Sequence, residues 1–275
     1  PVPLGWPENE EQVILLLTWF NASSLPGVAG GAGTCLSGVE LPAKRGVLLS
    51  LARLRRIVAI DPVTRTAIVE PGVRNLAISE AAAPYGLFYA PDPSSQIACS
   101  IGGNVAENAG GIHCLKYGLT VHNVRKVRAV LVTGDIVEFG ADALDAPGYD
   151  LLALITGSEG LLAVITQLTV KLQPMPQLAQ IALAAFDDIE KAGAAVGNVI
   201  AAGFIPGGLQ LIDREAKRHV EHSVHVGHQP DATSVLLIQA APPPRGAAAR
   251  LAEHRTATSR TCAEGPRGPV TPAEP

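Results

Sequence analysis

Side chains able to do acid–base chemistry are scarce in the most distinctive stretch of the sequence, SQIACSIGGNVAENAGGIHC, which runs from Ser95 to Cys114. Glu107 could form a hydrogen bond or an ion pair there, and His113 belongs to the residue type that ordinarily titrates near neutrality. Lys116, just beyond the stretch, could hold an anion through its charge. A structural or solvent-exposed role is the alternative for each of them. The stretch therefore favours a site built from exposed backbone, and it assigns no catalytic residue.

A first glycine-rich loop, PGVAGGAGTCLSGVELP, occupies Pro26 to Pro42. Glycines let a backbone approach an anion closely and turn successive N–H groups toward it, so this loop could cradle a phosphate. The dinucleotide-binding template G-x-G-x-x-G fails, because Gly31 to Leu36 lacks the third glycine. The P-loop template also fails, because Val39 and Glu40 stand where Lys and Ser or Thr are required. An ordinary flexible loop is the alternative interpretation.

Two more polar, glycine-bearing segments, APDPSSQIACSIGGNVAENAGG and TGSEG, interrupt apolar parts of the chain. All of these loops could converge on one elongated ligand. A flavin dinucleotide carries a pyrophosphate and ring edges that form hydrogen bonds, and it suits contacts from the backbone better than contacts from reactive side chains.

The histidine and cysteine patterns do not predict a metal site. The histidines of HVEHSVHVGH recur at every third position, so two of them could share a metal on a helix, but no acidic or cysteine partner lies in register. These histidines are His219, His222, His225 and His228. The cysteines lack C-x-x-C spacing and are expected to be reduced thiols. They are Cys35, Cys99, Cys114 and Cys262.

Length and composition indicate a globular protein with room for one large domain or two smaller ones. Of its 275 residues, 47% are hydrophobic, and 21 basic residues stand against 25 acidic ones for a net charge of −4. This balance lacks the basic excess of a nucleic-acid binder, so no nucleic acid is expected as a partner. The apolar runs are far shorter than the ~20 residues of a membrane-spanning helix. We expect a cytoplasmic protein with no transmembrane segment.

Periodicity and turn signals predict the elements that must position the loops. Helices are expected at residues 8–21, 73–83, 150–155, 188–202 and 214–224. Strands are expected at 47–51, 56–61, 66–70, 124–133, 135–139, 161–172, 180–185, 208–212 and 234–239, with a hairpin turn at Thr133-Gly134. The segment QPMPQ predicts a domain boundary, because proline interrupts strand pairing and helices alike.

The composition changes at Ala240 to Ala, Pro, Arg, Gly, Thr and Glu, with few bulky apolar residues. Such a segment cannot repay its ordering entropy by burial. We expect residues 240–275 to form a disordered or out-of-frame tail.

The chain resembles the FAD-binding subunits of glycolate oxidase in the order of four motifs: GAGTCLSG, VEPGVRNL, YAPDPSSQIACSIGGNVAENAGGIHCLKYGLTVHNV and LLALITGSEGLLAVITQLTVKLQP. Those subunits belong to the FAD-linked oxidases of the vanillyl-alcohol oxidase type, close to D-lactate and D-2-hydroxyglutarate dehydrogenases. The resemblance runs from about Pro7 to Gln239. It implies an α+β fold, with a PCMH-type FAD-binding domain of two α/β subdomains at 1–175 and the beginning of an α+β substrate cap at 176–239.

The resemblance also implies which residues hold FAD, mainly through backbone N–H groups and small side chains. They are Gly31, Ala32, Gly33, Thr34, Leu36, Ser37, Gly38, Pro91, Asp92, Ser94, Ser95, Gly102, Gly103, Asn104, Asn108, Gly110, Gly111, Tyr117, Gly118, Gly157, Ser158, Glu159, Gly160, Val164 and Ile165. The first loop has no histidine where covalent relatives attach the flavin, so the resemblance implies non-covalent FAD.

The activity implied is oxidation of a small 2-hydroxy acid, glycolate or D-lactate, to the 2-oxo acid by hydride transfer to flavin N5. Other glycolate oxidase subunits are implied as partners. The family's later metal- and carboxylate-binding segments have no counterpart after Gln239, so the chain is expected to be a fragment that retains FAD binding. A non-catalytic flavin-binding or partner-binding module is the alternative.

The chain departs from the family pattern inside the loops. Gly30 stands where the family has arginine, and Cys35, Val39 and Ala163 stand where it has glycine. If those family glycines adopt positive φ, each replacement would cost about 1 kcal/mol or more.

Overall fold

The computed structural model describes residues 3–38, 40–42, 44–142, 148–176, 180–224 and 232–240. Within these ranges, no helix is both long and apolar enough to cross a membrane. The chain divides into two compact units, Pro1–Met175 and Pro176–Pro275, and the division falls inside the QPMPQ segment. Of the tail expected at 240–275, Ala240 is the last residue of a strand, and residues 241–275 lie outside the described residues.

The first unit combines short helices with mostly antiparallel strands. Its helices are α1 (Glu10–Ala22), α2 (Asn75–Ala82), α3 (Ile101–Glu107), α4 (Cys114–Tyr117), α5 (Thr120–Asn123) and α6 (Leu151–Ile155). Its strands are β1 (Leu4–Gly5), β2 (Gly27–Gly30), β3 (Val47–Ser50), β4 (Ile57–Asp61), β5 (Thr66–Val69), β6 (Leu87–Phe88), β7 (Val124–Val130), β8 (Ile136–Gly140), β9 (Val164–Lys171) and β10 (Gln173–Pro174).

A five-stranded antiparallel sheet in the order β4-β5-β9-β7-β8 forms the main core of this unit. Successive side chains of a strand point to opposite faces, so alternate apolar residues such as Leu168 and Val170 of β9 are buried on one face. Ile78 of α2 and Ile101 and Val105 of α3 belong to the same buried cluster and are fully buried. The sheet thereby fixes α3, the helix that contains the Gly102-Gly103 pair.

A second, parallel sheet in the order β1-β3-β2 carries the first glycine-rich loop at the end of β2. Helix α1 covers it, with Val13 and Phe20 buried against Leu49 of β3 in one cluster. Gly27 in β2 leaves room for this packing, because a Cβ there would lie 2.6 Å from the Phe20 ring. Val164, at the start of β9, is part of the same cluster. The loop after β2 and the loop before β9 therefore meet at one place.

The second unit is a three-stranded antiparallel sheet with helices. Its elements are β11 (Gln180–Phe186), α7 (Ile189–Ala201), β12 (Gly208–Asp213), α8 (Arg214–Val224) and β13 (Ser234–Ala240), with strand order β11-β13-β12. Phe186, Leu236 and Ile238 form its core with small alanines of β11 and α7. Helix α7 begins after Asp188, whose side chain accepts a hydrogen bond from the Glu190 N–H at 2.9 Å.

The helices and strands predicted from periodicity are confirmed, with ends shifted by at most a few residues, and so is the α+β class. The hairpin turn is confirmed as well, since Gly134 has φ +90°. Two glycine-rich stretches are different from the prediction. Residues 27–30 form strand β2 rather than loop, and the Gly/Asn stretch contains helix α3.

The Glu10 carboxylate of α1 forms an ion pair and hydrogen bonds with the five-stranded sheet. Arg128 Nε and Nη2 donate to its carboxylate at 2.9 Å, and the Thr166 hydroxyl donates at 2.6 Å. The hydrogen bonds from Arg128, and then that from Thr166, hold the pKa of Glu10 below its ordinary value of 4.5, against the opposing effect of burial. A lowered folded-state pKa contributes stability that is present above the unfolded-state pKa and is lost as the pH falls through the folded-state value.

We therefore expect Glu10→Gln to lower the free energy of unfolding by about 1–3 kcal/mol at pH 7, because it weakens charge-assisted hydrogen bonds. The deficit should shrink as the pH falls below about 4.5. Urea unfolding at several pH values measures it. The exposed neighbour Glu11 offers a control, Glu11→Gln, that removes the same charge from the same helix turn. Equal effects of the two substitutions would contradict the role given to the Glu10 contact.

Candidate functional site

A cleft in the first unit collects parts of all the glycine-bearing loops. It lies between the loop after β2, helix α3 and the loop before β9, and its cavity volume is about 340 Å³. This volume falls in the range of about 300–1,000 Å³ that small-molecule sites occupy. The predicted convergence of these loops on one place is thus present in the structure.

Many of the residues predicted to hold a cofactor line this cleft. They are Gly31, Ala32, Thr34, Leu36, Ser37, Ser95, Gly102, Gly103, Ser158, Glu159, Gly160, Val164 and Ile165. The predicted residues outside its lining are Gly33, Gly38, Pro91, Asp92, Ser94, Asn104, Asn108, Gly110, Gly111, Tyr117, Gly118 and Gly157.

The first loop offers a run of free backbone donors. From Ala32 to Ser37, no backbone N–H donates to an acceptor in the described part of the protein. Gly33 and Gly38 have φ of +70° and +75°, values that L side chains rarely adopt, so these positions require glycine. Successive N–H groups in such a loop form an anion-binding concavity. The loop therefore has the donors that a phosphate needs.

Helix α3 approaches this loop through residues without bulk. A Cβ on Gly31 would lie 2.5 Å from Ser100 Oγ, and a Cβ on Gly102 would lie 2.6 Å from Pro71 Cβ. The Gly102 N–H donates to the Pro71 carbonyl at 2.8 Å, whereas we find no acceptor for the Gly103 N–H among the described residues. Ser100 is a lining residue that the sequence analysis did not single out, although it lies inside the Gly/Asn stretch.

The TGSEG loop is bound to the end of α3 by its backbone. The Gly157 N–H donates to the Val105 carbonyl and the Glu159 N–H donates to the Ala106 carbonyl, each at 2.8 Å. Glu159 itself has φ +54°, an uncommon value for a residue with a side chain. Gly157 thus supports the site by holding this loop, while Ser158 and Gly160 line the cleft.

Several predicted residues outside the lining form polar contacts that hold the walls. The Asn75 Nδ2 donates to Asn104 Oδ1 at 2.9 Å, and Asn104 Nδ2 donates to Cys99 Sγ at 3.3 Å, so the buried Asn104 side chain fixes α3 from behind. Asn108 ends α3 with φ +50°, and its Oδ1 accepts from the Val121 N–H at 3.0 Å. These asparagines occupy structural positions next to the cleft.

Asp92 and His113 form a pair outside the lining. His113 Nδ1 lies 2.6 Å from Asp92 Oδ2, and the His113 N–H donates to Asp92 Oδ1 at 3.1 Å. Gly111 lies against the same residue, because a Cβ there would lie 1.9 Å from the Asp92 carbonyl oxygen. The pair therefore fixes the PDPSS segment to the NAGG segment.

The charge of the lining is acidic. Its charged residues are Glu40, Glu107 and Glu159, and no lysine, arginine or histidine is found among the lining residues that the structure describes. In the sequence, Glu40 stands out only as a mismatch to the P-loop template. In the structure its Oε1 accepts the Gly31 N–H at 3.1 Å, at the start of the free donors. Its position within the glycine-rich loop was the signal that could have identified it.

The φ angles of the backbone show whether the residues that replace family glycines are strained. Residues with side chains at positive φ are Ser24, Arg65, Asn108 and Glu159 in the described ranges. Cys35 and Ala163 are not among them, so the backbone cost considered for these replacements does not arise, and Val39 lies outside the described residues. His225 and His228 lie outside them too, and no group of three or more potential metal ligands occurs in the described part.

The backbone N–H donors of the site suit the pyrophosphate of a dinucleotide. N–H groups that have no acceptor in the described structure, together with small residues, suit a pyrophosphate, although the carboxylates of the lining repel its negative charge. The site contains no reactive acid–base pair among the described lining residues, so the chemistry of a bound cofactor would have to come from the cofactor itself.

Comparison with protein families gives two matches. Residues 4–140 match the FAD binding domain family, and residues 175–274 match the C-terminal domain of FAD linked oxidases. The second match includes part of the segment after Ala240, whose composition differs from that of the rest of the chain.

Similar proteins are found in bacteria and archaea. The chain is 56% identical over 239 residues to the glycolate oxidase subunit GlcD of Escherichia coli K12, which is 87% of this chain and 48% of that protein. It is 39% identical to GlcD of Bacillus subtilis, covering 85% of this chain and 50% of that one. It is 36% identical to a D-lactate dehydrogenase of Archaeoglobus fulgidus, covering 76% and 47%. The chain thus spans about half the length of these relatives.

A solved structure of alkyldihydroxyacetonephosphate synthase has the same fold. The TM-score is 0.80 at 18% sequence identity, and the likeness covers 98% of this chain and 52% of that one.

Proposed function

Because the chain belongs to the FAD-linked oxidases, we propose that its cleft binds FAD non-covalently and that the whole protein oxidises a small 2-hydroxy acid, glycolate or D-lactate, to the 2-oxo acid. The observation that carries the proposal is the run Ala32–Ser37, whose N–H groups have no acceptor among the described residues and which, apart from Gly33, lines the cleft. Six consecutive N–H groups without a described acceptor are not expected of a packed turn, since a packed turn pairs its donors.

In this proposal the chain's residues mainly bind and orient. The first loop would hold the pyrophosphate through Ala32 to Ser37, and Gly103 would add one N–H from α3. Ser158 and Gly160 would contact the remaining length of the ligand. Bound FAD would supply the redox chemistry, as the acceptor of a hydride from the substrate α-carbon at flavin N5.

Substrate activation would depend on groups outside the described cleft. The Asp92–His113 pair positions one wall, and we propose no proton transfer for it. Other subunits of a glycolate oxidase are proposed as partners, because the relatives of highest identity reported above are named as glycolate oxidase subunits.

The test is a flavin spectrum followed by substrate addition. The chain purified with FAD should show flavin absorption near 450 nm, and acid precipitation should release the flavin because no covalent bond holds it. Anaerobic glycolate or D-lactate should bleach the absorption if the chain turns over substrate by itself. A yellow protein that does not bleach would favour the alternative, a flavin-binding module that needs further segments or subunits. A folded, colourless protein that takes up no added FAD would contradict both.

A further inference from the structure

We propose that the Glu40 carboxylate is an internal competitor for the anion site of the cleft and lowers the affinity of this chain for FAD. The inference rests on the proposed function. Its starting point is geometric: Glu40 Oε1 accepts the Gly31 N–H at 3.1 Å. Glu40 Oε2 lies toward the next turn, 3.6 Å from where a Cβ on Gly33 would be. The carboxylate therefore lies at the start of the run Ala32–Ser37, whose N–H groups have no acceptor among the described residues.

The surroundings of Glu40 do not neutralise its charge. No ion pair links it to a cation within the described residues, and the lining residues with charge are the two further glutamates, Glu107 and Glu159. Its side chain is half-buried, where screening by solvent is incomplete. A pyrophosphate that enters this cleft brings further negative charge, so it must displace the carboxylate from Gly31 or bind beside it against repulsion.

A carboxylate held by one N–H can move away more easily than one held by an arginine fork. FAD binding therefore remains open to this chain, at reduced affinity. Removing the charge should tighten binding of FAD, and also of inorganic pyrophosphate, which carries the same group without the flavin.

A purely structural role for Glu40 predicts different FAD affinities for the variants. If the side chain only braces the loop by accepting the Gly31 N–H, Glu40→Gln would preserve the brace through its amide oxygen and leave FAD affinity unchanged. Glu40→Ala would then remove the brace and weaken binding. Competition predicts instead that both substitutions tighten binding, because both remove the charge.

The experiment titrates FAD into the full chain freed of flavin, and follows quenching of flavin fluorescence in the wild type, Glu40→Gln and Glu40→Ala. We expect the Kd for FAD to fall by about 5- to 10-fold in both variants, which corresponds to a single charge interaction of moderate strength. The difference from the wild type should shrink at 1 M NaCl, where the screening length is about 3 Å. Pyrophosphate alone should protect both variants against thermal unfolding more than it protects the wild type.

Glu11→Gln is the matched control, since it removes one negative charge at an exposed position of α1 and should leave the Kd unchanged. Wild-type binding of FAD together with unchanged or weaker binding in both Glu40 variants would overturn the inference and leave the proposed function intact. Folded variants and wild type that all fail to bind FAD would overturn the proposed function and the inference together. Binding by the variants alone would support the inference.

Discussion

Gly111→Ala should destabilise the first unit by at least about 3 kcal/mol, near the upper end of the cost of overpacking a rigid site. The added Cβ would lie 1.9 Å from the carbonyl oxygen of Asp92 and 2.3 Å from its carbonyl carbon. That carbonyl cannot easily retreat. The preceding carbonyl, of Pro91, accepts the buried Asn75 Nδ2 at 3.0 Å, and the Asp92 side chain holds His113.

Urea unfolding followed by tryptophan fluorescence measures the free energy of unfolding of the first unit, because both tryptophans, Trp6 and Trp19, belong to it. FAD binding should fall with stability, since the displaced segments include a wall of the cleft. Unfolding at the wild-type denaturant concentration with normal FAD binding would show that the 91–92 backbone yields and would contradict the prediction.

Gly103→Ala is the matched control for this glycine. A Cβ on Gly103 would meet a single described atom within 4 Å, Ser100 Oγ at 3.2 Å. Alanine is favoured over glycine in a helix by about 1 kcal/mol, and this gain offsets the cost of the tight contact with Ser100. The free energy of unfolding should therefore change little. The added methyl group would enter the cleft that Gly103 lines, and we expect weaker FAD binding at nearly unchanged stability. The two variants together separate a glycine needed for folding from a glycine needed for the ligand.

Apolar periodicity was sufficient to locate most elements, because burial on one face determines them. Helix α7 and strand β9 are examples, since Ala192 and Val199 of the helix and Leu168 and Val170 of the strand are buried at the expected spacing. Local sequence and tertiary packing agree in these segments. Prediction from sequence is reliable where they agree.

Helix α3 could not be predicted this way because its local sequence opposes it. Gly102 and Gly103 each cost about 1 kcal/mol relative to alanine in a helix. The helix forms because Ile101 and Val105 are fully buried against the sheet and because glycine lets α3 approach Pro71. Strand β2 is similar: Gly27–Gly30 has little strand propensity, and its pairing with β3 comes from another part of the chain.

The resemblance of the motifs predicted where the site lies, but it did not predict that the lining of the site is acidic. The motifs identified loops that do line one cleft, yet they did not show that Glu40 accepts the Gly31 N–H, since a hydrogen bond between residues nine apart depends on how the loop folds back. Nor did they separate residues that line the cleft from residues that support it. Asn104 is predicted to hold the cofactor, and in the structure its side chain is hydrogen-bonded to Asn75 and Cys99, which supports the helix that lines the cleft.

That supporting role makes Asn104→Asp the substitution with the largest expected effect. Asn104 is 4% exposed, and the substitution would replace its Nδ2, which donates to Cys99 Sγ, with a carboxylate oxygen. Asn75 could still donate to the other oxygen, but no cation is bonded to this site in the described structure. We expect a loss of about 3–5 kcal/mol at pH 7, the usual cost of an uncompensated buried charge.

The pH dependence distinguishes buried charge from lost packing. Burial disfavours the ionised form, so the introduced carboxyl should have a folded-state pKa raised above its unfolded value of about 3.9. Below that unfolded value both states are protonated and the charge penalty is absent; the penalty grows as the pH rises toward the folded-state pKa. The deficit in the free energy of unfolding should therefore be smaller at pH 5 than at pH 7.

Asn104→Leu is the neutral counterpart, since its side chain branches at the same atom and cannot ionise. It leaves one Asn75 donor without its acceptor, which costs about 1–3 kcal/mol, and this deficit should not depend on pH between 5 and 7. Urea unfolding of both variants by tryptophan fluorescence at the two pH values makes the comparison. If Asn104→Asp showed the same deficit at pH 5 and pH 7, water or a displaced cation would have to reach the carboxylate. That result would contradict a rigid, buried position for the Asn104 side chain behind Gly102 and Gly103.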